Sequence, residues 1–586
     1  MADQSREIER KYDAPESGLP DLTAVPGVAA VVDKGVTGLD AIYYDTEDER
    51  LAAAGITLRR RTGGSDEGWH LKLPVATDVR EEIRAPLSAR LPDELAGLVR
   101  SRVRNSPVVP VVRLRSERDV RHLVDAEGRL VAEASIDEVT AERLNGREGR
   151  APRTVAWTEV EVELSEGADR KLLDAVERAL VKAGVRRAQA PSKLARALAE
   201  TREQGTEGAE GAAGAEEGGE AETPGKTGEA GGGKGKRGDG EAKAGKGKGR
   251  GKGKGKGKGK GKGKGKGNAG EGSAETPAAT ADAAGGVAPV AGTTAGDHVL
   301  QYLRAQVDAI VELDPAVRRD QPDSVHRMRV ASRRLRSAFK SFGKIVDREV
   351  TDPISDELKW LAAELGVDRD REVLTARLHQ RLAELPGHLI IGPVRGRLRT
   401  WSDARRRGSR HHVIETLDSA RYLDLLEALH ALLVDPPLHS AARRPARAVL
   451  PRAVLRDFAR LARRVDVAFA TPHGRDRDVA VHEARKAAKR ARYAAEAARP
   501  ALGEPANRLV QQMKALQDAL GDHQDSVVAR TALLELADEA RNAHESSFTF
   551  GLLYGHEEAQ AAAREAEMPR AWGEASRKKL LSALRS

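Results

Sequence analysis

The hydrophobic pattern changes period twice along the chain. Between residues 6 and 164, apolar and polar positions alternate in short runs: EIERKY (7–12), ITLRRR (56–61), WHLKLP (69–74), REEIRAPL (80–87), EASIDEV (133–139) and TEVEVEL (158–164). Period-two alternation with β-branched residues predicts strands that are apolar on one face and polar on the other. Helical patterns intervene near 89–101 and 168–184, so this part reads as a mainly antiparallel β domain with added helices. Residues 297–586 are rich in Ala, Leu and Arg, follow a 3.6-residue period and show no strand signal, which predicts an all-α domain. Residues 201–296 almost lack Ile, Leu, Phe, Tyr and Trp. They cannot bury enough apolar surface to offset chain entropy, and read as a disordered linker. The expected domains are therefore 1–200, 201–296 and 297–586.

The polar faces of the strands are charged. Residues two apart share a face of a strand. Glu7, Glu9 and Lys11 therefore lie together, as do Arg59 and Arg61; Arg80, Glu82 and Arg84; Glu133 and Asp137; and Glu159, Glu161 and Glu163. Lys72 lies opposite Leu71 and Leu73. An open sheet would turn these faces to water. A closed barrel would turn them into a polar lumen. In the lumen, clustered carboxylates would repel unless a hard cation joined them. Mg²⁺ or Mn²⁺ takes carboxylate and phosphate oxygens. Arginines and lysines on facing strands would hold phosphates. Acids and bases on one lumen suit metal-assisted phosphoryl transfer.

Composition narrows the classes. The 586 residues include no Cys, which excludes disulfides, thiolate metal sites and a thiol nucleophile. No run of 18 apolar residues occurs, and the start MADQSREIER has no signal-peptide core, so a soluble, cytoplasmic protein with no membrane partner is expected. The formal charge of +9 is concentrated. Residues 234–266 alone carry 15 Lys and Arg against Asp239 and Glu241, so the remainder is net acidic. Within the linker, 203–229 holds eight Glu and 246–266 is a nearly perfect Gly-Lys repeat. The bland reading is a solvated tether. The sharper one is a tether that also grips a polyanion non-specifically, by charge alone, because it has no aromatics for base stacking.

EIERK at 7–11 resembles the ExExK signature of the CYTH, or triphosphate tunnel metalloenzyme, family. The similarity continues in order through YYDT (43–46), LRRR (58–61), WHLKLP (69–74), an acid pair around Asp137, WTEVEVEL (157–164) and SKLARAL (192–198). The resemblance implies an eight-stranded antiparallel barrel enclosing a triphosphate. It implies divalent metal on Glu7, Glu9, Glu159 and Glu161, with Glu163 and Asp137 as further candidates. Lys11, Arg59, Arg61, Lys72 and Arg80 match phosphate-binding positions, and Lys193 matches the lysine that closes the motif set. On the strand from 111 to 118, Arg118 is the best match, with Arg113 and Arg115 as alternatives. Ser116 stands where the family often has a basic residue. Glu7, Glu9 and Lys11 are the expected catalytic group.

The α domain repeats a basic stripe. VHRMRVASRRLRSAF (325–339) matches VHEARKAAKRARYAA (481–495). His326, Arg329, Arg333 and Arg336 recur as His482, Arg485, Lys489 and Arg492 at an offset of 156; LGVDRD (365–370) and LGDHQD (520–525) follow at an offset of 155. Matched pairs at nearly equal offsets indicate an internal duplication. Spacings of 3, 7 and 10 place each set on one helical face, where like charges are costly without an anion. A zinc role for the histidines lacks partners; phosphate contact or core hydrogen bonding fits better. These motifs resemble the CHAD domain over about 297–586. That family is two related four-helix bundles whose central basic face binds polyphosphate, and the eight stripe residues carry that expectation. Arg334, Lys340, Lys486 and Arg490 are neighbouring candidates. The tandem order resembles bacterial CYTH–CHAD inorganic triphosphatases. It implies a Mg²⁺- or Mn²⁺-dependent hydrolase acting on tripolyphosphate, partnered with inorganic polyphosphate and its granules. The alternative is a polyphosphate-binding protein whose barrel senses phosphate or nucleotide without catalysis.

Overall fold

The computed structural model describes residues 3–14, 18–145, 153–202, 294–406 and 409–585, with the backbone alone at 367–372, 404–406 and 409. The tether expected at 201–296, with its Gly-Lys repeat, lies outside the described residues except at its two ends, as do the side chains of 367–370 in LGVDRD.

Eight strands close into a barrel: β1 (Asp3–Asp13), β2 (Ala30–Asp45), β3 (Thr57–Thr62), β4 (Gly68–Ala76), β5 (Val79–Ala85), β6 (Val109–Val124), β7 (Leu130–Arg143) and β8 (Thr154–Leu164). Their order around the barrel is β1-β5-β4-β3-β2-β6-β7-β8, and every pairing is antiparallel. Closure and its covering helices settle which face looks inward. Val160 and Val162 of β8 pack outward beneath Leu173, Val176 and Leu180 of a helix, and Leu58, Leu71 and Ile83 pack outward beneath Leu95, Leu98 and Val99 of another. With the apolar faces used on the outside, the alternate charged positions must line the lumen. The β3–β4 connection needs glycine at Gly63: its φ is 83°, and a Cβ there would stand 2.5 Å from the Gly38 carbonyl oxygen.

The helices of the first domain are α1 (Arg50–Ala53), α2 (Asp93–Val103), α3 (Lys171–Lys182) and α4 (Lys193–Glu200); α2 and α3 are the two covers. The Ser192 side chain caps α4 by accepting from the Ala195 amide at 3.1 Å. Leu194, Ala197 and Leu198 then pack on Ala41, Tyr43, Leu114 and Val139, the inward apolar residues at one end of the barrel. The cap starts the helix at Lys193, and the apolar face of the helix stops that end.

After the linker the described chain is helical: α5 (Ala295–Arg318), α6 (Ser324–Ser341), α7 (Arg348–Glu364), α8 (Gly366–Glu384), α9 (Val394–Arg406), α10 (Ser409–Asp418), α11 (Ala420–Val434), α12 (Ala446–Ala470), α13 (Arg475–Leu502), α14 (Glu504–Asn542), α15 (Phe548–Ala575) and α16 (Lys578–Ser582). One apolar core joins the two repeats, from Val299 and Leu335 in the first to Ala488, Leu516 and Met568 in the second. The small residues Ala484, Ala488 and Ala491 bring α13 close to its neighbours, and it meets α6 directly. Barrel and helical region form one compact unit. At their contact Ser101 of α2 donates to the Val311 carbonyl (3.1 Å), Arg104 pairs with Glu427 (3.0 Å) and Arg319 pairs with Glu81 (2.7 Å). No helix among the described residues is long and apolar enough to cross a membrane.

Candidate functional site

Strand register assembles the lumen from residues far apart in sequence. Glu7 lies opposite Arg80, and Lys11 and Glu9 lie opposite Glu161 and Glu163. Lys72 lies opposite Glu82, Arg59 opposite His70, and Asp137 between Arg118 and Glu159. Glu7, Glu9, Asp137, Glu159, Arg61 and Lys193 are all buried. Burying so many charges is tolerable only when they pair.

The pairs fall into two groups. In the first, Lys72 Nζ meets Glu7 at 2.5 Å and Glu82 at 3.7 Å, while Lys11 Nζ meets Glu9 at 3.1 Å and also contacts Glu161. Arg80 Nε is 3.7 Å from Glu9. In the second, Lys193 Nζ sits among Asp137 (2.9 Å), Glu159 (2.8 Å) and Glu161 (2.6 Å), and Arg118 reaches Asp137 and Glu161, both at 2.7 Å. Carboxylate oxygens of Asp137, Glu159 and Glu161 lie within 4.8 Å of one another.

These surroundings shift the ionisation of the acids in opposite directions. Burial opposes ionisation of Glu9, but Lys11, Lys72 and Arg80 outweigh it and hold its carboxyl at about 2. Burial likewise opposes ionisation of Glu161, yet Lys11, Lys193 and Arg118 keep it well below the usual carboxylate range. Glu163 goes the other way. Burial, reinforced by Glu7, Glu9 and Glu161, pushes it up to about 7, and no cation among the described residues forms an ion pair with it. Burial and the neighbouring Arg59 and Arg118 lower the Arg61 guanidinium to about 9. The lumen therefore holds a carboxyl group short of positive charge beside guanidinium groups that already have acidic partners: Arg61 pairs with Asp66, Arg59 lies 3.8 Å from Glu82, and Arg118 reaches Asp137 and Glu161.

Arg113 and Arg115, the alternatives to Arg118, do not reach the lumen. Both turn to Asp40, at 2.5 and 3.9 Å. Ser116 has the lumen register, opposite Leu39 and Val139, and brings no charge. Two lumen residues were not singled out from the sequence as site residues. His70 is buried, with Nε2 donating to the Asp66 carbonyl (2.8 Å) and Nδ1 2.9 Å from Glu82. Glu82 is fully buried beside Lys72, His70 and Arg84. The available signal was parity, since His70 stands two residues before Lys72 and Glu82 two after Arg80.

The second site is the face between α6 and α13. Their packing brings the two repeated stripes together: Arg333 of α6 joins Arg485 and Arg492 of α13 in acting on Lys489. Burial and these three arginines lower the Lys489 amine to about 7, against the weaker pull of Asp525. Among the described residues, Arg333, Arg336, Arg485 and Lys489 have no carboxylate within ion-pair distance, and the Nε atoms of Arg333, Arg336 and Arg485 are buried without hydrogen-bond partners. Arg492 and Arg334 are partly neutralised by Glu496, at 3.3 and 3.2 Å. His482 is held by Gln524 through Nδ1 at 2.6 Å, and His326 is half-buried at the start of α6. Arg329 lies against Gly366 and Arg485 against Gly521. Lys486 points to solvent and pairs with Glu483.

Comparison with known proteins follows this division. The CYTH domain profile matches residues 5–198 and the CHAD domain profile matches 301–534. A Mycobacterium tuberculosis protein, Rv2226, is 35% identical over 594 residues, covering 99% of this chain and 97% of its own. Among solved structures, PptA from Streptomyces chartreusis is 21% identical with a TM-score of 0.41, covering 48% of this chain and 99% of its own. The CHAD domain from the plant Ricinus communis is 26% identical with a TM-score of 0.39, covering 49% of this chain and 92% of its own. The full-length relative and the two profiles, each falling on one of the two regions described above, place this chain in the family of proteins that join a CYTH domain to a CHAD domain.

Proposed function

We propose that the barrel hydrolyses inorganic triphosphate with the help of a divalent cation, and that the α6–α13 face binds inorganic polyphosphate. The observation that supports the first half most directly is the convergence of Asp137, Glu159 and Glu161 within 4.8 Å inside a lumen also lined by Arg59, Arg61, Lys72 and Arg118.

The donors fit Mg²⁺ or Mn²⁺, since the acidic groups offer only oxygen, and Glu163 is a half-buried carboxyl with no ion pair among the described residues. Glu7, Glu9, Glu159 and Glu161 would hold the ion, with Asp137 and Glu163 in reach. Bound there, it would neutralise phosphate oxygens and lower the pKa of a water. The chain's own groups do the rest. Arg59, Arg61, Lys72, Arg80 and Arg118 approach from four strands and fix a triphosphate along the lumen. Lys11, held between Glu9 and Glu161, keeps an ammonium where charge grows on the departing phosphate. Lys193 orients Glu159 and Glu161. The stop formed by α4 keeps bulk water from one end.

A second reading is favoured by Lys193 itself. Its ammonium already stands among the three acids, which suits a barrel that senses phosphate or nucleotide without hydrolysing it. Phosphate release from tripolyphosphate, ATP, thiamine triphosphate and long-chain polyphosphate, each with Mg²⁺ or Mn²⁺, separates the two. Release from tripolyphosphate above the others supports the hydrolase. Binding without release from any of them supports the sensor.

A further inference from the structure

One charged surface lies outside both sites. α12 carries Arg452, Arg456, Arg460 and Arg463, at spacings of four, four and three residues, so one helical face holds them all. All four are exposed, and over their length the helix rises about 16 Å. Like charges stacked in this way repel, and among the described residues none of the four has a carboxylate within ion-pair distance. The acid beside them, Asp457, is buried and committed to Ser341 Oγ at 2.5 Å and Arg490 Nε at 2.9 Å.

The row is continuous with the α6–α13 face. Arg456 donates to the Ser341 carbonyl, and Arg490 donates to the Lys340 carbonyl at 2.7 Å. These are end carbonyls of α6, the helix that carries Arg333 and Arg336. Positive charge thus runs from Arg333 and Arg336 past Lys340 and Arg490 to Arg456 and Arg460. The first repeat has no such extension. Its corresponding helix, α5, carries Asp308 and Glu312, which act on Arg102 of the barrel domain, and its Val311 carbonyl accepts from Ser101. Of the two corresponding helices, the one before the first stripe docks against the barrel, and the one before the second presents an open arginine face.

We infer that the α12 row is a second segment of the anion track, which engages linear polyphosphate too long for the α6–α13 face alone and so selects for chain length. This rests on the reading of that face as a polyphosphate site. Polyphosphate is favoured over nucleic acid because the row offers no ring for base stacking: Phe458 is buried and stacked on Trp572, with centroids 5.5 Å apart.

The test compares the full-length parent, R452Q/R460Q/R463Q and R333Q/R485Q/K489Q, binding tripolyphosphate and size-fractionated long-chain polyphosphate across a salt series without divalent metal. Arg456 is left intact because it holds the end of α6. For the α12 variant, long-chain affinity should fall about tenfold and the slope of log affinity against log salt should flatten by about two to three, with tripolyphosphate affinity moving less than about twofold. R452K/R460K/R463K should restore the slope. Unchanged long-chain affinity and slope in the α12 variant overturn the inference while leaving the α6–α13 reading intact. Unchanged long-chain binding in the stripe variant overturns that reading itself. Lost binding of duplex DNA with polyphosphate capture retained assigns the row to nucleic acid and also overturns the inference.

Discussion

The guanidinium of Arg485 lies against the bare backbone of Gly521, where an added Cβ would stand 3.3 Å from Nη2. The first repeat makes the same contact more tightly: a Cβ on Gly366 would stand 2.7 Å from Nη2 of Arg329. The two repeated motifs are therefore parts of one device. The glycine of each Leu-Gly pair leaves room for the second residue of each stripe, which explains why both recur at nearly the same offset.

Gly366→Ala is expected to displace Arg329 and weaken polyphosphate binding several-fold. Gly521→Ala should do less, because its neighbour stands farther off. Neither should lower Tm much, since alanine favours helix by about 1 kcal/mol over glycine. Titration calorimetry beside a thermal melt checks this. Parent-like affinity in both variants would separate the glycines from anion binding.

The lowered Lys489 amine predicts a pH effect on binding. A lysine depressed to about 7 is charged below that pH and neutral above it. An anion prefers the charged form, so affinity should fall as pH rises through 7, with proton uptake on binding near pH 8. Lys489→Arg should flatten the profile, because guanidinium keeps its charge over this range. A parent profile already flat from pH 6 to 9 would count against Lys489 as a contact.

Glu7→Gln and Glu161→Gln should each abolish triphosphatase activity with the fold retained. The amide keeps the shape and loses the charge that would hold a divalent cation. Turnover is to be measured at saturating Mg²⁺ and Mn²⁺ beside circular dichroism. Near-normal turnover in both variants would take these residues out of the metal site.

Glu163 predicts how stability depends on pH in chelator. Its carboxyl is raised from an ordinary value near 4.5 to about 7. The folded state therefore prefers the protonated form. That contribution is complete below pH 4.5 and is lost as pH rises through 7. The loss is at most about 3 kcal/mol, from 1.36 kcal/mol per unit. Glu163→Gln should match the parent at low pH and become the more stable protein between pH 4.5 and 7, with the Tm difference constant above. A difference that does not change with pH would mean that Glu163 is not a carboxyl raised by the fold.

Much of the architecture was legible in the chain. Alternation in TEVEVEL and EIERKY marked strands whose charged residues share a face, and a matched offset marked the duplicated helices, because both periods are local consequences of backbone geometry. Inward or outward was not local. A strand's parity says which residues go together but not where they go, and that waited on closure of the barrel and on α2 and α3 covering its apolar outside. The same limit applied to Arg113, Arg115 and Arg118, since only the pairing of β6 with β2 and β7 sends the first two to Asp40 and the third to Asp137. It applied to His70 and Glu82, whose parity was visible but whose burial was not. It applied also to the two stripes: each could be read on its own helix, but only the tertiary packing buries Lys489 and brings Arg333 of α6 up to it, and burial and the added charge together depress the lysine. Periodicity is written in neighbours along the chain. Electrostatics depends on neighbours in space, and those exist only once the chain has packed.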